Sequence, residues 1–292
     1  MTSQSPFRHY ARVLQHFAST RALEVLALQA SPILGCFLGG FSFDRYGLLR
    51  LGLLLLGSLL LTAHVFVFND WAGRGSDIRD PRRTRVFAHR GISSRQVARF
   101  AVALLIIANV AFATVGRPAI LLGAAIAALS LLYSWSPNFG KSMPIVASIN
   151  HLLGGALHFL FGYTSFHALD KRGLVISLFF GLVFAAGHLN QEVRDHEGDH
   201  FNGIRTSAVV FGCRRTFIAS LVFFTVAYGL LVGLASFGIL PRLLLLSVVG
   251  WLLQVAWSLR ALRRGLGFET AVWMQRRYRL LFAFIGLVML VK

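Results

Sequence analysis

Acidic residues are scarce in this chain. Only 11 Asp and Glu occur among 292 residues, and residues of either charge make up 14% of the sequence, whereas soluble globular domains carry about 25% charged residues. This composition excludes an ordinary soluble domain. It also makes the position of each carboxylate informative, because a site that needs several of them must draw on a small set.

Cysteine is nearly absent as well. Cys36 and Cys213 are the only two, and they lie far apart in the sequence. No CxxC or HExxH pattern is present, which argues against a zinc centre, and two distant cysteines give no reason to expect a disulfide. The sequence also lacks a P-loop, a GxGxxG fingerprint and a GxSxG elbow, so it does not indicate the nucleotide-binding and hydrolase folds that use them.

Apolar runs are what the chain has in abundance. Hydrophobic residues make up 56% of the sequence, and several runs approach the roughly 20 residues that a helix needs to cross a bilayer. We therefore predict an all-α, polytopic membrane protein with about nine transmembrane helices around a central cavity. The predicted spans lie near 22–43, 49–68, 99–115, 118–135, 144–165, 173–190, 217–238, 241–260 and 278–291.

Two features bear on the number of spans and on the domain limits. A count of eight stays open, because the last span is short and the fifth carries Asn150, His151 and His158. Residues 1–21 are polar and aromatic and contain no cleavable signal. They predict a cytoplasmic N-terminal segment, followed by one transmembrane domain over residues 22–292.

The net charge of +18 is distributed unevenly between the predicted loops. Arg and Lys concentrate in the N-terminal segment and around residues 74–95, 194–215 and 260–279, and are sparse in the loops between. By the positive-inside rule the basic segments and the N-terminus face the cytoplasm, and Lys292 lies outside if there are nine spans. We interpret the charge as a determinant of topology and of contact with anionic membrane lipid, and we expect no nucleic-acid partner.

The densest acidic segment covers residues 190–206, at the end of the sixth predicted span. Asp195 and Asp199 are spaced i, i+4, so a helix would present both from one face, about 6 Å apart, where they can share a hard cation. Such a pair alone is more often a solvated helix face than a metal site. Its interpretation therefore depends on a second group of carboxylates.

A second acidic segment begins at Asn69 and Asp70, where the apolar run 51–68 ends, and continues through Asp77 and Asp80. Both segments are predicted at the same membrane edge, so we expect them to form one divided site. Arginines are interspersed with the aspartates. Carboxylates that hold Mg²⁺, beside arginines that take phosphate oxygens, are the groups that bind a diphosphate.

The segment around Asp195 also carries a family pattern. Residues 195–199 read DHEGD and are followed by Gly203 and Thr206, which resembles the DxxGDxxxGxxT signature of the UbiA-type intramembrane prenyltransferases, the superfamily of 4-hydroxybenzoate polyprenyltransferase. The turn from Tyr133 to Lys141 resembles that family's Tyr-Ser-x-x-Pro...Lys segment. The resemblance covers nearly the whole chain.

The resemblance implies a Mg²⁺-dependent prenyltransferase that ionises a prenyl diphosphate and transfers the prenyl group to a small-molecule acceptor, aromatic or quinone-precursor-like. In this scheme Asp195 and Asp199 hold one Mg²⁺. The candidates for orienting the acceptor are instead the polar residues within the bundle, among which Asn150 is preferred because it lies midway in the sequence between the Lys141 turn and the sixth span. The predicted catalytic residues are Asp70, Asp77, Asp195 and Asp199, which with Asn69 are also the metal ligands, and the predicted substrate-binding residues are Asn69, Arg82, Arg85, Tyr133, Lys141, Asn150, Asn190 and Arg205.

The first acidic segment departs from the family pattern. The family expects NxxxDxxxD, but from Asn69 this chain has Gly73 at the central position and Asp77 at the last. Asp70 or Asp80 is then the candidate that would replace the missing aspartate as a metal ligand. Gly73 also weakens helix continuity, by roughly 1 kcal/mol relative to Ala, so the segment can reshape around an ion.

Several functions remain open at this point. A UbiA-type membrane terpene cyclase, which needs no acceptor, and a non-catalytic relative that binds a prenyl diphosphate are the alternatives to a transferase. A transporter is disfavoured, because the carboxylates are predicted at the membrane edge whereas transporter sites lie near the midplane. The sequence indicates neither the prenyl chain length nor the oligomeric state.

Overall fold

The computed structural model describes residues 6–77, 92–135 and 139–291. Within these ranges all regular structure is helical, which confirms the predicted all-α class. The helices are α1 Pro6–Leu28, α2 Ala30–Leu38, α3 Arg45–Ala72, α4 Arg74–Asp77, α5 Ser94–Val115, α6 Arg117–Ser134, α7 Pro144–Tyr163, α8 Lys171–Phe201, α9 Ser207–Phe211, α10 Cys213–Ser236, α11 Ser247–Arg264 and α12 Phe268–Val288, with 3₁₀ turns at Gly140–Ser142 and Arg242–Leu246.

Eight helical segments of the described residues are long and apolar enough to cross a bilayer. They correspond to the first eight predicted spans, and α1 and α2 together supply the first of them over Leu14–Leu38. The predicted boundary at residue 21 therefore falls inside a helix. The ninth predicted span, 278–291, coincides with the second half of α12, which is not one of these eight segments.

The basic residues of α12 correct one sequence-based expectation. Arg276, Arg277 and Arg279 were predicted in a loop after the eighth span, but they lie within the helix. The guanidinium of Arg277 stands 3.8 Å from the centroid of the Trp273 ring. Aromatic ring faces stabilise such cations. The arginine cluster therefore lies inside a helix, and it does not mark a loop between two spans.

The most consequential difference concerns α8. The predicted span ended at residue 190, whereas the helix continues to Phe201, so Asp195 and Asp199 lie on a helix as their spacing indicated. The helix ends where Asn202 is followed by Gly203, whose φ is +68°. Glycine adopts this left-handed conformation without steric penalty, which makes it an effective stop signal.

Helix α8 lies at the centre of the bundle and packs against α7, α10 and α12. Glycines allow the closest approaches. A Cβ added at Gly181 of α8 would lie 2.6 Å from the Leu152 carbonyl oxygen of α7, and one added at Gly162 of α7 would overlap the Pro32 carbonyl of α2. Small residues at helix contacts are typical of membrane bundles, where close van der Waals packing drives association.

Two of the few carboxylates have a structural role at the edge where α3 and α8 begin. Asp44 accepts a hydrogen bond of 2.7 Å from the backbone N–H of Gly47, and Asp170 accepts one of 2.7 Å from the N–H of Gly173. Each is an N-cap of its helix. The hydrogen bond from Gly173 lowers the pKa of Asp170, and the hydrogen bond from the Ser42 hydroxyl lowers the pKa of Asp44.

Candidate active site

The C-terminal ends of α3 and α6 meet at the opposite edge of the bundle. The Asn69 side chain on α3 donates from Nδ2 to the Ser134 hydroxyl on α6, over 3.2 Å. This hydrogen bond joins the first acidic segment to the predicted Tyr133–Lys141 turn. Because Asn69 donates here through its amide nitrogen, its amide oxygen Oδ1 is not used in this hydrogen bond. That oxygen is the one atom of the side chain that could bind a metal.

Tyr133, next to Ser134, connects α6 to α7 and α8. Its ring meets His151 of α7 edge-on with 5.0 Å between ring centroids, and it lies 6.1 Å from His188 of α8. The two histidine rings stack on one another, 3.6 Å apart and within 6° of parallel. The Nδ1 of His151 lies 2.8 Å from the Ala147 carbonyl oxygen, which fixes the ring's orientation.

His188 forms a buried pair with Glu192. Nε2 of His188 lies 3.0 Å from Oε1 of Glu192, and both side chains are 4% exposed. The second carboxylate oxygen, Oε2, accepts a hydrogen bond of 2.8 Å from the Ser207 N–H at the start of α9. The Nε2 and Oε1 atoms approach without the alignment of a hydrogen bond, so the backbone N–H of Ser207, rather than His188, fixes the position of the Glu192 carboxylate.

The His188–Glu192 pair shares one face of α8 with the two aspartates. At 100° per residue, His188, Glu192, Asp195 and Asp199 fall within an arc of about 60°, and Asp195 lies about 10 Å along the axis from His188. One helix face therefore carries carboxylates at the membrane edge and an ionisable pair roughly two turns deeper. Ionisable residues at membrane depth are costly and usually functional.

Helix α1 bridges the two acidic segments. Arg21 donates from Nε to Asp70 Oδ2 over 3.2 Å and pairs with Glu24 over 3.1 Å. Arg194 binds both oxygens of Asp195, at 2.8 and 2.7 Å, and Glu24 is near enough to act on Arg194 electrostatically. Asp70 of α3 and Asp195 of α8 thus belong to one network of alternating charge.

The donor chemistry of this network suits Mg²⁺, which prefers carboxylate and amide oxygens. In the part of the chain that the structure describes, no three His, Cys, Asp or Glu side chains are already gathered around one point; the side chain of Asp77 lies outside that part. Asp70 and Asp195 each hold a guanidinium instead. Each of the two carboxylates therefore already binds a positive group. By their charge and their oxygen atoms, Asp70 and Asp195 are suitable ligands for a divalent metal ion.

The remaining predicted site residues differ in placement. Lys141 is half-buried in the 3₁₀ turn before α7, and Asp199 is half-buried on α8; both are engaged with other groups. Asn150 is half-buried on α7 beside His151, and Arg205 is exposed between α8 and α9. Asp80, Arg82 and Arg85 lie outside the described residues.

Asn190 is the predicted residue that is set apart from this group. It lies on α8 roughly opposite the face of Asp199 by helical geometry. That is the side on which Ser220 of α10 donates to the Ala186 carbonyl. Asn190 is 1% exposed, and its Oδ1 has no hydrogen-bond partner among the described residues. The structure does not bring it together with the carboxylates.

Sequence reasoning missed four residues of the network. Arg21 and Glu24 had been read as a tail and the beginning of a span, Arg194 as a determinant of topology, and Glu192 as a further acid in a crowded segment. Two signals were available: the i, i+3 spacing of Arg21 and Glu24, and the i, i+4 spacing of His188 and Glu192, which sets them on the aspartate face.

Comparison with known proteins agrees with this geometry. The sequence model of the UbiA prenyltransferase family matches residues 33–288. The chain belongs to the UbiA prenyltransferase family. The match includes both acidic segments and every helix from α3 to α12, so the resemblance of the DHEGD pattern is confirmed at the level of the family.

Solved UbiA structures share the fold at low identity. A UbiA homologue from Archaeoglobus fulgidus bound to GPP and Mg²⁺ has 18% identity and a TM-score of 0.73, with 94% of this chain and 99% of that chain covered. A digeranylgeranylglyceryl phosphate synthase has 19% identity and a TM-score of 0.72, with 95% and 97% covered. An apo UbiA homologue from Aeropyrum pernix K1 has 17% identity and a TM-score of 0.67, with 90% and 96% covered. No curated protein sequence matches significantly.

Proposed function

We propose that the protein is an integral membrane prenyltransferase that uses Mg²⁺ to ionise an isoprenoid diphosphate and transfers the prenyl group to a small acceptor, aromatic or quinone-precursor-like. The observation that carries this proposal is the series of charged side chains that runs from Asp70 of α3 through Arg21, Glu24 and Arg194 to Asp195 of α8. Family membership supports the reaction class. The homologue bound to GPP and Mg²⁺ supports the ligands.

The carboxylates divide between two proposed metal positions. Asp195 and Asp199 of α8 would hold one Mg²⁺, and Asn69, Asp70 and Asp77 would hold the second. Bound Mg²⁺ neutralises the charge that develops on departing pyrophosphate. Gly73 occupies the position where the family pattern has an aspartate. In this proposal Asp70 supplies the missing ligand, because its carboxylate already pairs with the Arg21 guanidinium.

Positive side chains of the same network are proposed to bind the diphosphate. Arg21 and Arg194 pair with Asp70 and Asp195. Their guanidinium groups would lie beside a diphosphate bound at these carboxylates and would donate to its oxygens, for which their planar geometry is suited. The proposed diphosphate-binding cations are Arg21, Lys141, Arg194, Arg205, and Arg82 or Arg85.

The reaction also needs a proton acceptor inside the membrane. The bond between the prenyl C1 and the diphosphate oxygen breaks, C1 bonds to a nucleophilic atom of the acceptor, and the proton on that atom must leave. We assign this proton to His188, because it lies on the aspartate face of α8 and Glu192 can stabilise the resulting imidazolium. The ring of Tyr133 lies beside this histidine, and aromatic ring faces of this kind can stabilise a cation.

The orientation remains part of the proposal. The N-terminus and both acidic segments are placed on the cytoplasmic side by the positive-inside rule, where a water-soluble pyrophosphate product can leave. If α12 crosses the membrane as a ninth span, the C-terminus lies on the other side. Asn150, beside the histidine stack on α7, is retained as the residue proposed to orient the acceptor.

Pyrophosphate release by the detergent-purified protein tests this function. Prenyl diphosphates of several chain lengths are supplied with Mg²⁺, with and without aromatic acceptors, and lipid extracts are analysed by mass spectrometry. Asp195→Asn removes a proposed ligand. Asp44→Asn is the matched control, because Asn is an equally good N-cap and Asp44 lies at the other edge.

Each outcome separates the candidates. Acceptor-dependent release and a prenylated product, both lost in Asp195→Asn and kept in Asp44→Asn, would support the transferase. Metal-dependent release with a cyclic hydrocarbon or alcohol and no acceptor would replace it by a terpene cyclase. Binding of prenyl diphosphates without release under any condition would identify a non-catalytic relative.

A further inference from the structure

A groove of about 400 Å³ lies outside the candidate active site, between α7 and α10 and over α8 and α9. Its volume is within the range of small-ligand sites. Exposed Ile145 and Ile149 of α7 form one wall, so the groove opens towards lipid rather than towards the bundle interior. Its lining residues of most interest are Ile145, Leu152, Leu189, Ser207, Arg215 and Thr216.

The upper end of the groove lies at the membrane edge of the acidic segments. Helix α7 begins at Pro144 and α10 begins at Cys213, and the first turns of both helices contribute to the lining. Further along, the lining is apolar, with Leu152 and Phe223 a few turns from the edge. The groove thus runs from a polar membrane boundary into hydrocarbon depth.

The rim of the groove is cationic. Arg214 and Arg215 are both exposed in the first turn of α10. That turn contains no acidic residue, and its N-cap is Gly212, a residue without a side chain that could cap the helix. The first N–H groups of such a helix lack intrahelical partners and carry partial positive charge, so they favour an anion. Glu197 acts electrostatically on Cys213, so a carboxylate also lies near this cationic rim.

Two buried hydroxyl groups point independently to a ligand. Ser207 and Thr216 line the groove and are 4% and 2% exposed. Their oxygens have no hydrogen-bond partner among the residues that the structure describes. Buried polar groups are normally satisfied, and each exception asks for an explanation such as an unseen ligand.

We propose that this groove binds one anionic phospholipid, with an acyl chain along the apolar wall and the phosphodiester at Arg214, Arg215 and the start of α10. The chemistry of the occupant follows from the arrangement: a cationic, donor-rich rim above an apolar channel that is open to the bilayer. Basic pockets between helices at the cytoplasmic side of membranes bind anionic head groups for the same reason.

The groove is separate from the proposed prenyl diphosphate site, but the two sites are connected through Ser207. Ser207, on the groove wall, uses its backbone N–H to hold Glu192. A lipid that packs against α9 would therefore stabilise the segment that positions the buried His188–Glu192 pair. The inference does not depend on the proposed reaction, since it concerns binding alone.

Native mass spectrometry of the detergent-purified full chain tests the proposal, with phosphatidylglycerol and phosphatidylcholine as probes. The test variant carries Arg214→Gln and Arg215→Gln. The matched control carries Arg263→Gln and Arg264→Gln, an exposed pair at the C-terminal end of α11. A third variant, Ala219→Phe, fills the groove without changing charge.

We expect the wild type to bind phosphatidylglycerol more tightly than phosphatidylcholine. The test variant should lose roughly 30-fold in affinity for phosphatidylglycerol alone, from the usual contribution of a basic residue at an anionic membrane surface, and the control should lose nothing. Ala219→Phe should weaken both lipids. Equal affinity for the two lipids, an equal loss in the control, unchanged binding in Ala219→Phe, or displacement of the lipid by geranyl diphosphate would overturn the proposal.

Discussion

Arg21 of α1 binds the carboxylate of Asp70 of α3, 49 residues later in the chain, with its Nε 3.2 Å from Oδ2. The same guanidinium contacts Glu24, which acts on Arg194 next to Asp195. Helix α1 is therefore part of the candidate site. A segment that had been assigned to a tail and a first span provides the link between the two acidic segments.

Arg21→Gln should weaken binding of a prenyl diphosphate in the presence of Mg²⁺ by about tenfold or more, since a hydrogen bond to a charged group contributes about 1.5–3 kcal/mol. Affinity can be measured by titration with geranyl diphosphate. The matched control is Arg117→Gln, an exposed arginine at the start of α6, which should bind as the wild type does. Equal losses in both variants would remove Arg21 from the site.

Glu192→Gln tests the buried pair. Gln keeps the size of the side chain and an oxygen for the Ser207 N–H but removes the charge beside His188. Glu192 acts through the proposed base His188, so turnover should fall by up to the roughly 10²–10⁴-fold that a general base usually contributes, while the affinity for prenyl diphosphate stays unchanged. Glu269→Gln, an exposed carboxylate at the start of α12, is the control. Unchanged turnover in Glu192→Gln would assign the pair a structural role.

Gly73→Asp restores the carboxylate that the family pattern expects. Gly73 has φ −79° and ψ −3°, which any residue can adopt. The added charge should lower the Mg²⁺ concentration for half-maximal pyrophosphate release by about tenfold, because ligand charge tunes the affinity of such sites. Gly73→Asn supplies the same shape without the charge. Identical Mg²⁺ midpoints for the two variants would place residue 73 away from the metal.

Two glycines of α7 test the packing of the bundle. Gly162→Ala places a methyl group against the Pro32 carbonyl of α2 and should lower the free energy of unfolding by about 1–3 kcal/mol through overpacking. Gly154→Ala meets no atom within 4 Å and should be neutral or stabilising by about 0.5–1 kcal/mol, since Ala is the better helix former. Thermal unfolding in detergent should rank the variants in this order, and a more stable Gly162→Ala would contradict the α2–α7 contact.

The apolar runs were sufficient to predict the all-α class and the first eight spans, because bilayer thickness sets the length of such a run. They could not predict how far α8 extends, since the helix continues through charged residues to Phe201. Hydropathy indicates whether a segment lies in lipid or in water, whereas the helix ends at Phe201, just before the left-handed Gly203. The aspartates were recognised correctly as a helical pair because i, i+4 spacing is a property of the backbone.

The tertiary contacts of the candidate site were beyond sequence reasoning. His151 and His188 lie on different helices, and nothing in either local pattern indicates that their rings stack. Asn190 was selected as a polar residue at the end of the sixth predicted span, but its position five residues before Asp195 places it on another face of α8. Rotation around a helix axis decides which neighbours in sequence share a site.

The central claim is that the aspartates of α3 and α8 form one metal-dependent site, and a double-mutant cycle tests it most directly. Binding of geranyl thiodiphosphate, a slowly ionising analogue, is measured with and without Mg²⁺ for the wild type, Asp70→Asn, Asp195→Asn and the double variant. We predict Mg²⁺-dependent binding, a loss in each single variant, and a loss in the double variant smaller than the product of the single losses, because groups in one network couple by about 0.5–3 kcal/mol. Binding that needs no Mg²⁺, or single losses that multiply independently, would contradict a shared site.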